Sequence, residues 1–187
     1  MDTAEWLAVK LYMQTQVLSG FIYSPSEDRL LDILGGLSVR RPQSRGRFLE
    51  LSDVTIQHAD GREEKLPAAY VNKATVHLAA TSTANSGRGL GAKLGPKPYP
   101  FVEKSPVPVR LLTAAYAVTG SLHRGNYQRA WHVLEERPMF LPLTNGEICA
   151  LANGTRWKVP FVAVNKEHVL SLQEEETSPL SPPELRE

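Results

Sequence analysis

The feature that most constrains this chain is a similarity between its two halves. The segments that align, in order along the chain, are 9–34 with 109–134, 48–56 with 140–148, and 60–76 with 153–169. Because the order is preserved and identical residues recur in every segment, the sequence predicts a tandem duplication in which each copy is one folding unit. The first copy is longer between Leu34 and Phe48, which indicates a surface loop there.

Each copy has the pattern of short β-strands, with apolar and polar side chains in alternation. The expected strands of the first copy are 9–13, 17–23, 48–56, 64–71 and 75–79. Gly20, matched by Gly120, lies inside the second strand and predicts a bulge or a sharp bend. Asp60-Gly61, matched by Asn153-Gly154, predicts a tight turn.

A short helix is expected between the second and third strands of each copy. In the first copy Ser26 can cap the helix, Leu30 and Leu34 fall on one face, and Gly35 ends it. The second copy has a matching segment at 127–136. We therefore predict a mainly β fold of two tandem five-stranded small barrels, each with a short helix between strands two and three.

Composition divides the chain into four parts. The predicted parts are a first barrel at 5–80, a flexible basic Gly/Ser/Pro linker at 81–106, a second barrel at 107–173 and a disordered acidic tail at 174–187. The sequence leaves open whether the two barrels pack together or move independently.

The pairs Asn72-Lys73 and Asn165-Lys166 interrupt the strands at the same place in both copies. Turn chemistry and a repeated ligand contact are both compatible with this pattern. Together with the internal glycine of the second strand, the segments 70–76 and 163–169 resemble the Sm-like and SH3-like small barrels. The copies are also similar to bacterial domains of unknown function. These resemblances imply a fold and no activity.

The net charge of +1 hides a basic body and an acidic tail. The basic residues that a nucleic acid would contact are Arg40, Arg41, Arg45 and Arg47 in the first-copy loop, and Arg88, Lys93 and Lys97 in the linker. Such flexible basic segments suit loose phosphate contacts, although solvated loops are often basic for solubility.

Residue patterns for chemistry are sparse. The single cysteine, Cys149, excludes an internal disulfide framework and multi-cysteine metal sites. The histidines show no metal-ligand spacing, and Gly87–Gly91 is followed by prolines rather than by the helix that a phosphate loop needs. We therefore expect no catalytic, cofactor-binding or metal-binding residues and no cofactor.

The first residues lack the basic start and apolar run of a secretory signal, and no run is long enough to span a membrane. The expectation is a cytoplasmic, non-enzymatic adaptor or scaffold that binds protein partners or itself through barrel edges. No membrane contact is expected, and the sequence identifies no small-molecule substrate. The alternative is a nucleic-acid-binding protein that uses the loop at 40–47 and the linker.

Overall fold

The computed structural model describes residues 6–24, 29–35, 46–81, 104–125, 128–136 and 139–175. The elements of the first half are β1 (Trp6–Tyr12), β2 (Gln16–Tyr23), α1 (Leu30–Leu34), β3 (Phe48–His58), β4 (Glu63–Asn72), a 3-10 turn (Lys73–Thr75) and β5 (Leu78–Thr81). Those of the second half are β6 (Lys104–Thr113), β7 (Tyr116–Gly125), α2 (Ala130–Glu135), β8 (Phe140–Ala150), β9 (Arg156–Asn165), a 3-10 turn (Lys166–His168) and β10 (Val169–Glu174). Neither helix of the described ranges is long and apolar enough to cross a membrane.

All ten described strands belong to one antiparallel sheet, in the order β10-β6-β7-β8-β9-β5-β1-β2-β3-β4. Within each half the first four strands pair in chain order, and the fifth strand pairs with the first. The fifth strand of the first half also pairs with the fourth strand of the second half. The predicted mainly β character is confirmed, but the prediction of two five-stranded barrels is wrong: the chain forms a single open sheet.

The short strand β5 explains why the first half does not close. A closed barrel would need β5 to pair with β4, but a strand has only two hydrogen-bonding edges. Residues Val9–Tyr12 of β1 occupy one edge of β5, and residues Val162–Val164 of β9 occupy the other. No edge of β5 remains for β4, so the sheet continues into the second half instead of closing on itself.

The two matched glycines lie at bulges of the second strands, one of the two predicted outcomes. The register between β2 and β3 shifts at Gly20, and the register between β7 and β8 shifts at Gly120. A Cβ atom on Gly20 would lie 3.0 Å from the carbonyl oxygen of Ser52. Glycine is required here because the neighbouring backbone approaches too closely for a side chain.

The two predicted tight turns are also confirmed. Gly61 has a φ of 87° and Gly154 a φ of 71°, values in the left-handed region that glycine tolerates. The side-chain oxygens of Asp60 and Asn153 each accept a hydrogen bond from the amide two residues later, at 3.0 Å. These side chains stabilise the turns that connect β3 to β4 and β8 to β9.

Two elements are shorter than the sequence predicts. Helix α1 begins only at Leu30, because Arg29 still has extended backbone angles. The fifth strand begins at Leu78 rather than at Thr75, because the side chain of Asn72 caps a 3-10 turn between the strands. Local side-chain capping thus replaces strand pairing at this corner.

The described core consists of two buried apolar clusters, one centred on each half. The side chains that cross from the second half into the first cluster are Phe140, Phe161 and Ala163. Among those that cross from the first half into the second cluster are Tyr12, Leu78 and Ala80. Each half therefore completes the core of the other, and the boundary between them is as buried as their centres.

The rings of Tyr12 and Tyr116 meet at this boundary, with centroids 5.7 Å apart. The Tyr116 hydroxyl donates to the Met13 carbonyl oxygen at 2.7 Å, whereas the buried Tyr12 hydroxyl has no partner among the described residues. We expect Tyr12→Phe to leave the free energy of unfolding unchanged or raise it by about 1 kcal/mol, and Tyr116→Phe to lower it by about 1 kcal/mol. Denaturant unfolding measures both values, and the reverse order would contradict this assignment.

Candidate interaction edges

The contact between β5 and β9, which we call the junction, joins the two halves. Its facing pairs are Leu78 with Val164, Ala79 with Ala163, and Ala80 with Val162. All of these side chains are buried. The junction is therefore a strand pairing closed to solvent on both faces, and it shows which side chains this fold places where two halves meet.

Asn165, a candidate ligand contact in the sequence analysis, stabilises one end of the junction by hydrogen bonds. Its backbone amide donates to the carbonyl oxygen of His77 at 2.9 Å, and its side-chain amide donates to that of Val76 at 3.0 Å. Its side-chain oxygen accepts from the Glu167 amide at 3.1 Å, and Asn72 makes the matching bond in the first half. Because Asn165 is fully buried, losing these bonds would leave buried polar groups unpaired.

The lysine of each Asn-Lys pair reaches a helix. Lys73 Nζ donates to the carbonyl oxygen of Ile33 at 3.1 Å, and Lys166 Nζ donates to that of Val133 at 2.7 Å. These carbonyls lie near the C-terminal ends of α1 and α2, where a cation is favoured. Burial lowers the pKa of both lysines. The pairs hold the helices to the sheet, and their role as ligand contacts stays a prediction.

Two histidines stack where the halves meet. The rings of His77 and His168 lie 4.0 Å apart at an angle of 12°. His168 Nε2 lies 2.7 Å from the carbonyl oxygen of Ala74, which can only accept, so this nitrogen donates. His77 faces Thr113 Oγ1 and the ring of Tyr116. Burial lowers the pKa of His77, and the neighbouring His168 lowers it further.

One end of the sheet, which we call the β4 edge, consists of β4 and the start of β3. Here Tyr70 is 72% exposed and Phe48 is 52% exposed. The ladders of the two halves have the same register at this end, so Tyr70 matches Ala163 and Phe48 matches Phe140. Both matching residues are fully buried. The difference arises because β5 covers β9, whereas no described strand covers β4.

The opposite end, which we call the β10 edge, consists of β10 and the adjacent helix α2. Leu170 is 67% exposed, and Leu172 is half-buried. Leu170 matches His77, the residue before β5, and Leu172 matches Ala79 in β5. Both matches are buried. Trp131 of α2 is 50% exposed. Both ends of the sheet thus expose apolar positions that the junction buries.

Sequence reasoning predicted binding through barrel edges but did not place Tyr70 or Leu170 at an edge. The alignment contains a signal, because Tyr70 stands opposite Ala163 and, one residue beyond the last aligned segment, Leu170 stands opposite His77. Such differences in size at matched positions indicate different neighbours. These differences can be interpreted only when the strand order shows which strand of each matched pair has a neighbour on both edges.

The predicted nucleic-acid contacts are mostly outside the described residues. Arg47 is described and exposed, next to Phe48 at the β4 edge. The others, which lie outside the described residues, are Arg40, Arg41, Arg45, Arg88, Lys93 and Lys97. Nucleic-acid binding therefore stays a prediction. Within the described ranges, no group of three or more His, Cys, Asp or Glu side chains could hold a metal ion.

The histidine stack predicts acid sensitivity. Because the pKa of His77 is lower in the folded chain than in the unfolded chain, the stability that neutral His77 contributes is present above about pH 6.5 and lost as the pH falls further. We expect His77→Phe, which keeps an aromatic ring, to reduce the loss of unfolding free energy between about pH 7 and pH 5. The matched control is the same substitution at the exposed His123. An unaltered profile for His77→Phe would refute this prediction.

No protein-family model matches this chain, and a comparison with curated proteins finds no match either.

Proposed function

We propose that this chain is a non-enzymatic adaptor or scaffold that binds extended segments of protein partners along the β4 and β10 edges. One observation carries the proposal: Tyr70 is 72% exposed although its match, Ala163, is buried in the β5–β9 pairing, and Leu170 is 67% exposed although its match, His77, is buried just before β5. Edge strands with exposed apolar side chains are templates for a further strand.

The junction shows which backbone hydrogen bonds such binding would use. The Asn165 amide donates across it to the His77 carbonyl oxygen, so alternate residues of β9 direct their backbone groups towards β5. By the same register, Tyr70 and Asn72 direct theirs out of the β4 edge. An added strand would gain main-chain hydrogen bonds there, and its alternate side chains would supply specificity.

The β4 edge is protected only along part of its length. Natural edge strands avoid unwanted pairing through charged side chains and prolines. β4 carries the exposed charged residues Glu63, Glu64 and Lys65 in its first part, whereas Ala68 and Tyr70 follow in its second part. The unprotected part lies where the junction lies in the matching strand, which supports a binding role for that part.

A cleft of about 610 Å³ lies among the turns of both halves, and its titratable side chains are His58 and Tyr116. The Tyr116 hydroxyl is already bonded to the Met13 carbonyl oxygen. His58 Nε2 lies 3.7 Å from a carboxylate oxygen of the largely exposed Glu64, so the proposal rests on the two edges and not on this cleft.

Selection of random displayed peptides on the full chain tests the proposal. We expect extended peptides with alternating apolar residues, and binding should slow hydrogen exchange at the Tyr70 or the Leu170 end. Tyr70→Lys and Leu170→Lys, combined in one variant, should weaken binding by about tenfold or more, because a charge then enters a buried strand contact.

The matched control is Leu151→Lys, in the turn after β8, where an exposed leucine lies away from both edges. Peptides that bind the double variant as tightly as the wild-type chain would refute binding at the edges. Failure to select any peptide that protects β4 or β10 from exchange would also refute it.

A further inference from the structure

We infer that the occupant of each open edge is the opposite edge of a second copy of this chain, so that β10 of one copy pairs with β4 of the next. This inference rests on the proposed function and names its partner. The β5–β9 junction pairs the fifth strand of one half with the fourth strand of the other. The two strands that no other described strand covers on one edge are the same kinds: β4 is a fourth strand and β10 is a fifth strand.

The junction fixes the register of the contact between copies. Transferring its pairs to the matching positions places Ser171 opposite Val71, Leu172 opposite Tyr70, and Gln173 opposite Ala69. Asn72 would then donate to the Val169 carbonyl oxygen of the neighbouring copy, as Asn165 donates to that of Val76 within one copy. Both contacts are antiparallel, so no strand needs to change direction.

The exposed apolar residues of the β4 edge match those that cross the junction. Phe140, Phe161 and Ala163 complete the first cluster, and their matches are Phe48, Ala68 and Tyr70. All three matches are exposed. In a contact between copies they would cover the second cluster, just as their counterparts cover the first.

Helix α2, beside the β10 edge, has apolar side chains that are less buried than their matches in α1. In α1, which lies next to β8 of the other half, Ile33 and Leu34 are buried. Their matches in α2, Val133 and Leu134, are only half-buried although they pack on the second cluster. The apolar surface that Phe48 and Tyr70 would cover is therefore present at the opposite end of the same molecule.

The contact between copies is expected to be weaker than the junction. Ser171 and Gln173 stand where Leu78 and Ala80 stand in β5. These polar residues reduce the apolar area that the β10 edge can bury. The association should therefore be reversible and depend on concentration. Because the two surfaces differ, the assembly is head-to-tail and grows into a ring or a filament.

Sedimentation velocity of the full chain over a wide concentration range tests the inference. We expect species heavier than the 20.7 kDa monomer at high concentration. Tyr70→Lys and Leu170→Lys, each alone, should lower the association constant by at least about tenfold, whereas the control Leu151→Lys should not. Both substituted residues are largely exposed in the monomer, and circular dichroism checks that the variants fold.

Mixing the two single variants gives a sharper test. Tyr70→Lys keeps an intact β10 edge and Leu170→Lys keeps an intact β4 edge, so together they should form a one-to-one dimer that grows no further. A misfolded variant could not form this dimer. If Leu170→Lys still associates alone and only Tyr70→Lys is monomeric, the edges pair symmetrically and the head-to-tail inference is wrong.

A gain of affinity is expected when the junction residues are restored. The double variant Ser171→Leu and Gln173→Ala should raise the association constant by about tenfold, because it adds apolar surface at the contact. The inference is wrong if the wild-type chain and this variant both stay monomeric at every concentration. Selected peptides that still bind at the edges would then leave the proposed function standing, which keeps the two failures distinguishable.

Discussion

The whole fold depends on the backbone ladder between β5 and β9. Without it, each half would be a five-stranded sheet with an incomplete apolar cluster, because Phe161 and Ala163 serve the first cluster while Val162 and Val164 serve the second. A strand whose alternate residues feed different cores must be buried on both faces. The uninterrupted buried stretch Phe161–Asn165 is the direct result.

Local features of this fold follow from the sequence because their causes are close together in the chain. The turns at Gly61 and Gly154 were predictable because each depends on backbone freedom at one position. The bulges at Gly20 and Gly120 were predictable because each depends on the absence of a side chain at one position. The alternation of side chains likewise predicts most strands. These interactions need no knowledge of what lies beyond the neighbouring strand.

Closure of the sheet was not predictable in this way. The outer edge of β5 could pair with β4 or with β9, and both candidates carry the same pattern of residues. Periodicity cannot separate two equivalent partners, so the barrel prediction failed at that choice. The candidate site depends on the same choice, because Tyr70 and Ala163 differ in exposure only through the strand beside them. The Asn-Lys pairs show the opposite case, in which a repeated motif is accounted for by contacts inside the fold.

The shared boundary has a consequence for the covalent continuity of the chain. Strand β5 ends at Thr81 and β6 starts at Lys104, and the ladder that holds the halves together lies outside this interval. If a peptide bond between these residues were broken, the β5–β9 hydrogen bonds and the side chains packed across the boundary would still hold the two fragments together.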